Sequence, residues 1–218
     1  TTIIVNFFFA FLLLFASDWT NNNNFGLIHF VNSSTFVSIL FGLLILDLIG
    51  AYLPHLVQHK VKLLWYIHIV HHTDHKVDTT TANRHHPLES IIRFAFTFLA
   101  IFISGAPIGL VLLYQSISVI ASQFNHANIG ISDRLDKMLS YVIVSPNMHK
   151  VHHHFELPYT DSNYGNIFSL WDRLFGTYME INKSDIIYGV DTDLDEVQNS
   201  KFISLIKRPF KKWNSHFN

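Results

Sequence analysis

Four apolar stretches punctuate the first 122 residues of the chain, and polar segments of very different character separate them. The first runs from Ile3 to Ala16, short for a bilayer span, which takes about 20 residues. The second runs from Thr35 to Leu53, with apolar character beginning near Leu27. Ser90 to Ser104 and Ala106 to Ser122 form the third and fourth, with Gly105-Ala106-Pro107 as a tight turn between them, because Gly and Pro break helices. The pattern predicts two helical hairpins. The last two stretches are barely long enough to cross a bilayer. From about Ser132 onward the chain is polar and mixed, and no internal repeat is present.

Charge adds an orientation. All 15 Lys and Arg lie at Lys60 or later, the loop from Ser17 to Ser34 carries only Asp18, and the Gly105 turn carries no charge. Basic residues favour the cytoplasmic side. Both turns are therefore expected to face away from the cytoplasm, with 54–89 and everything after Gln123 facing it. Lys207, Arg208, Lys211 and Lys212, beside Phe210 and Trp213, form a basic tail within 201–218. It has two readings: attraction to anionic headgroups, about 1 kcal/mol per basic residue, or a solvated end.

Composition narrows the classes. At 218 residues the chain fits one domain, 1–218. Hydrophobic residues make up 49% and charged residues 14%, mean hydropathy is +0.25, and the net charge of −1 gives no footprint for a nucleic-acid partner. There is no cysteine, so disulfides, thiolate zinc sites and iron–sulfur clusters are excluded. The chain opens on Thr1, as expected of a truncated or processed N-terminus, and the first apolar run lacks the basic flank of a signal peptide.

The chemistry lies in the histidines. Of 15, 13 fall between His55 and His154, in boxes. These are His55-Leu-Val-Gln-His59, His68-Ile-Val-His71-His72 and His149-Lys-Val-His152-His153. Imidazole binds borderline transition metals while neutral near pH 7. On a helix, residues i, i+3 and i+4 share a face, whereas adjacent residues diverge by about 100°. Each His-His pair can thus serve two metal ions, and two such turns facing each other would enclose a dinuclear centre. His86, before the third stretch, and His126, after the fourth, stand where they could complete the coordination. His29 and His216 read as packed or surface residues, and His75, His85 and His154 as extras beside the boxes. Leu56 after His55 leaves no general base for a zinc protease. Adjacent pairs at a membrane face do not suit bis-histidine haem either.

In order along the chain stand the His55/His59 pair, Trp65-Tyr-Ile-His68-Ile-Val-His71-His72, Thr79-Thr-Thr-Ala-Asn-Arg-His-His-Pro-Leu-Glu89 and Asn125-His126-Ala-Asn128. After them come Pro146-Asn-Met-His149-Lys-Val-His152-His153, Asn163-Tyr-Gly165 and Trp171-Asp-Arg-Leu-Phe-Gly-Thr-Tyr178. From Asp47 to Tyr178 the chain resembles the fatty acid hydroxylase/sterol desaturase superfamily of membrane enzymes. The resemblance implies an all-α integral membrane fold of about four embedded helices in two hairpins under a cytoplasmic histidine-rich helical cap. It implies two non-haem iron ions, O2 as co-substrate, and hydroxylation or desaturation of a sterol, fatty acyl or ether lipid. An external donor (cytochrome b5, a ferredoxin or a reductase) would supply electrons, and the site would sit on the cytoplasmic face of a bacterial inner membrane or endoplasmic reticulum. The implied ligands are His55, His59, His68, His71, His72, His86, His126, His149, His152 and His153. Asn128, Asn163, Tyr164 and Asp172 are expected to orient them by hydrogen bonds, and Trp171 to Tyr178 to pack beneath them. Lys76 and His85 depart from the pattern, where a His and an aromatic are expected. The competing class is a metal-binding membrane protein without redox chemistry, such as a transporter or sensor.

Overall fold

The structure, a computed structural model, describes residues 2–31, 34–191 and 195–211. Among these the regular elements are helical, with two isolated bridges, Ile143 with Phe168 and His154 with Tyr188. The first apolar stretch is a longer helix than expected, α1 (Thr2–Asn22). The second extends past Leu53. α2 (Thr35–Asp47) passes through a π turn, Leu48–Tyr52, into α3 (Leu53–Lys60), one helical run of 26 residues. The N–H of Leu53 reaches the carbonyl of Leu48, five residues back. Such turns often mark functional sites, and this one lies just before His55.

α5 (Pro87–Ser104) starts three residues earlier than expected, with Pro87 at its first position, where a missing N–H costs nothing. α6 (Ile108–His126) runs four residues further, so His126 is its last residue. Among the described residues three helices, Thr35–Lys60, Pro87–Ser104 and Ile108–His126, are long and apolar enough to cross a membrane.

At one end of the bundle the turns meet. Gly26 (φ 109°) lies against Gly105 (φ 70°), and a Cβ on Gly26 would come within 2.3 Å of the Gly105 nitrogen. Both need positive φ, and only glycine allows both that and the approach. Ser17 Oγ donates to the Ala106 carbonyl at 2.9 Å, tying α1 to this end. The core between α1, α2, α5 and α6 holds Leu13, Leu46, Ile101, Leu110 and Val111. Its fully buried Ala16, Ala100 and Ala106 permit close helix approach.

The opposite end gathers the C-terminus of α3, the N-terminus of α5 and the C-terminus of α6. Over it lies a helical cap: α4 (Lys62–His72), α7 (Asp133–Leu139), α8 (Pro146–His152), α9 (Leu170–Leu174), α10 (Glu196–Asn199) and α11 (Phe202–Lys207). Buried Asp47 clasps cap to bundle. Its carboxylate accepts from the backbone N–H of Ile167 (3.3 Å) and Phe168 (3.1 Å) and from the Trp171 indole (2.9 Å). Of the stretch from Trp171 to Tyr178, Trp171 is buried with Tyr52 and Tyr164, whereas Leu174 and Phe175 are exposed.

Residues 195–211 form a strap held against the cap. Arg84 bonds Thr73 Oγ1 and the Asn199 carbonyl, and buried Arg208 donates to Asn199 Oδ1. Neither reading of the basic tail fits Arg208, which is held inside. Lys207, Phe210 and Lys211 are exposed, and Lys212, Trp213 and His216 lie outside the described residues.

Candidate metal centre

Nine histidines converge in two buried groups. His55, His59, His68, His72 and His152 bring one ring nitrogen each within 4.8 Å of one another, and His71, His126, His149 and His153 do the same. Residues at i and i+4 stay together: His55 with His59, His68 with His72, His149 with His153. Adjacent residues part, His71 from His72 and His152 from His153, as the helical fan predicts. The groups adjoin: the His72 and His153 rings stack at 4.8 Å.

Hydrogen bonds fix which nitrogen faces inward. Nδ1–H of His55 donates to the Tyr164 carbonyl (2.8 Å), His71 to Thr81 (3.1 Å), His126 to Ser122 (2.7 Å) and His152 to Ser162 (2.7 Å). A carbonyl only accepts, so in these rings Nδ1 holds the proton and Nε2 keeps its lone pair. His59 Nδ1 faces Asp161 (3.2 Å), which also takes Lys60 Nζ (2.6 Å), and His68 Nδ1 faces Glu89 Oε1 (3.0 Å). In the first group the Nε2 atoms of His55, His68, His72 and His152 are buried without a hydrogen-bond partner. In the second, Nε2 of His71, His149 and His153 each stand 3.1–3.2 Å from Nε2 of His126. His71 and His126, both with Nδ1–H committed to a carbonyl, face each other with Nε2 lone pairs, an arrangement that a cation between them relieves. The donor set therefore fits two transition-metal ions, with a carboxylate or carbonyl behind most of the imidazoles.

The environment keeps these rings neutral. Desolvation by burial, reinforced by neighbouring imidazoles, holds His71, His72, His149, His152 and His153 well below the ordinary imidazole value. His68 is lowered too, mainly by burial, though Glu89 opposes this. Metal ions take the neutral form. A cavity of about 20 Å³ touches both groups, bordered by His55 and His68 on one side and His71, His126 and His149 on the other. It has room for about one water-sized molecule.

The fatty acid hydroxylase family model matches residues 39–177, more than half of the chain. The chain belongs to the fatty acid hydroxylase family. Among curated relatives it is 26% identical to the ornithine lipid hydroxylase OlsE of Rhizobium tropici over 140 residues, 64% of this chain and 41% of that protein. It is 27% identical to the alkylglycerol monooxygenase of Homo sapiens and 30% to that of Danio rerio, in each case over 65% of this chain and 30% of the relative. The chain thus spans well under half the length of these relatives. No solved structure matches it at a significant level.

Several residues of the family pattern sit elsewhere than expected. His86 does not reach the centre. It caps α5, its Nδ1 accepting from Leu88 N–H (3.2 Å) while Nε2–H donates to the Ile206 carbonyl (3.1 Å), so both nitrogens are committed. The Pro87 helix start sets it there. His85 lies closer, Nδ1 2.9 Å from Glu89 Oε1 and its ring stacked on His71 at 4.7 Å. Asn128 is exposed, just past the helix end. Asn163, at φ 49°, bonds Met148 and Met179 through its side-chain amide, while its backbone carbonyl accepts from the His149 ring. Tyr164 does serve His55, through its carbonyl and not its hydroxyl. Asp172 acts one step further back, accepting from the N–H of Tyr164 (2.7 Å) and Gly165 (2.9 Å) and from Thr177. Burial pushes its carboxyl up to about 6, partly offset by those donors. His154 turns away, accepting from Ile187 N–H, and His75 sits near Asn199. Sequence reasoning missed Asp47, Glu89 and Asp161. Glu89 had a signal, i+4 from His85 in the first turn of a helix.

Proposed function

We propose that this chain is a membrane di-iron oxidase that hydroxylates or desaturates a C–H bond of a sterol, fatty acyl or ether lipid, with O2 as co-substrate. The observation that carries this is the pair of adjoining all-imidazole groups, one with buried inward Nε2 atoms and the other with three Nε2 atoms converging on that of His126, and with several Nδ1 protons locked on oxygen acceptors. The relatives named as ornithine lipid hydroxylase and alkylglycerol monooxygenase support a lipid substrate. Bound iron would supply the oxidising power needed for an unactivated C–H bond. His55, His59, His68, His72 and His152 would hold one ion, and His71, His126, His149 and His153 the other. Glu89 and Asp161 keep His68 and His59 oriented and raise their basicity.

The sequence carries no haem, flavin or iron–sulfur motif, so electrons would come from a cytochrome b5, ferredoxin or reductase partner. The one-sided Lys/Arg distribution supports a cytoplasmic-face site, in a bacterial inner membrane or endoplasmic reticulum. α1, which packs on α5 through Trp19–Phe102 and Phe9–Phe94 ring contacts, is proposed as the fourth embedded helix. Metal analysis and oxygen uptake on detergent-purified protein with a chemical reductant test the reading. Two tightly held irons per chain and uptake lost in His71→Ala or His152→Ala are expected. Exchangeable zinc with no uptake would favour a non-redox transporter or sensor.

A further inference from the structure

A second cavity, about 280 Å³, opens between α5 and α6 on the bundle side of the metal groups. Its walls are unusually polar for two helices apolar enough to cross a membrane. α5 contributes Ser90, Arg93 and Thr97, and α6 contributes Gln115, Ser118 and Ser122. Within each helix the spacing is three then four, so each set forms one face. Polar faces inside a bilayer are costly and usually functional. Arg93 is the one Lys or Arg between Arg84 and Arg134. Its Nη1 lies 3.5 Å from Glu89 Oε1, which His68 and His85 already share, and a guanidinium has five N–H donors in all. Arg93, His85 and Ser122 line both this cavity and the small chamber between the histidine groups. Arg93 therefore stands where the two spaces join.

We propose that Arg93 anchors the anionic group of the lipid substrate, phosphate or carboxylate, at the junction of this slot and the metal chamber. An anion held there leaves only the carbons within a few bonds of it able to reach the mouth of the chamber, while the tail extends between α5 and α6 into the bilayer. The substrate is thus an anionic lipid oxidised near its head and not in mid-chain. Arg93 is a specificity-determining residue. This deepens the function proposed above, and its test reads lipid binding independently of turnover.

Native mass spectrometry of the iron-loaded, detergent-purified full chain, titrated separately with dioleoyl phosphatidic acid, oleic acid and dioleoylglycerol, decides it. The wild type is expected to retain one copy of at least one anionic lipid about tenfold more tightly than dioleoylglycerol, the size of one charge-assisted contact. Preference for phosphatidic acid or for oleate identifies the phosphate or the carboxylate. Arg93→Gln should erase that preference with iron content kept. Val119→Trp, at the exposed lip of the slot and remote from Glu89, should reduce anionic retention to the dioleoylglycerol level even if Arg93→Gln proves unstable. Equal retention of neutral and anionic lipids by the wild type, or undiminished anionic retention in Val119→Trp or in stable Arg93→Gln, would overturn the proposal. Loss of oxygen uptake with the preference intact would instead count against the oxidase reading.

Discussion

A histidine whose Nδ1 proton is already given to a fixed oxygen has a single lone pair left, and the fold decides where it points. That makes the role of each imidazole testable on its own. His126 lies 3.1–3.2 Å from three other Nε2 atoms. His126→Ala should lose bound iron as severely as His71→Ala or His152→Ala, while His86→Ala and His154→Ala should keep most of it, read as iron per purified chain. Full occupancy in His126→Ala would mean that the second group is not a site. Glu89→Gln leaves an acceptor for His68 but removes the charge, and should weaken iron affinity or activity about 10–100-fold. At this scale the boxes were legible, because i and i+4 histidines must share a face. The acceptors behind them were mostly illegible, since the carbonyls of Thr81, Ser122, Tyr164 and Ser162 carry no side-chain signature. His86 misled because its neighbour Pro87 starts a helix, which makes it a cap.

Among the elements, the join between bundle and cap matters most. Asp47→Ala would strand two backbone N–H groups and an indole N–H, each worth about 1–3 kcal/mol when left unsatisfied. It should lower the thermal midpoint of the detergent-solubilised protein by several degrees and loosen the site through Trp171. A midpoint within a degree of wild type would show that the clasp is incidental. A Cβ at Gly165 would stand 2.8 Å from Asp172 Oδ2 and from Val144 Cγ2. Gly165→Ala should therefore shift the loop that presents the Tyr164 carbonyl to His55, costing about 1–3 kcal/mol and reducing iron retention. The hydrophobic pattern announced four helices, yet their ends ran further than it suggested. Pro87 and His126 belong to helices because capping and tertiary contacts, not apolarity, set where a helix stops. The strap formed by 195–211 was read as a tail, since one buried pair, Arg208 with Asn199, is invisible in a basic stretch.

For the whole molecule, burial of so many neutral imidazoles sets the pH response. His71, His72, His149, His152 and His153 are depressed in the folded state, whereas unfolded histidine titrates near pH 6.5. Above that value neither state gains protons, and this contribution to stability is fully present. As pH falls below it the unfolded chain takes up protons first, so stability should decline steeply and iron should be released with it. A flat melting profile from pH 7.5 to 5 would contradict the buried-imidazole geometry. Topology answers to the same scale: a reporter fused at the exposed Asn128 should be active on the cytoplasmic side only. The most direct test of the central claim is lipid mass spectrometry of cells expressing the wild type or His71→Ala. A lipid that gains one oxygen, or loses two hydrogens, in the wild type alone is the predicted result. Identical lipid profiles, with two irons bound to the wild-type chain and its electron donor present, would contradict it.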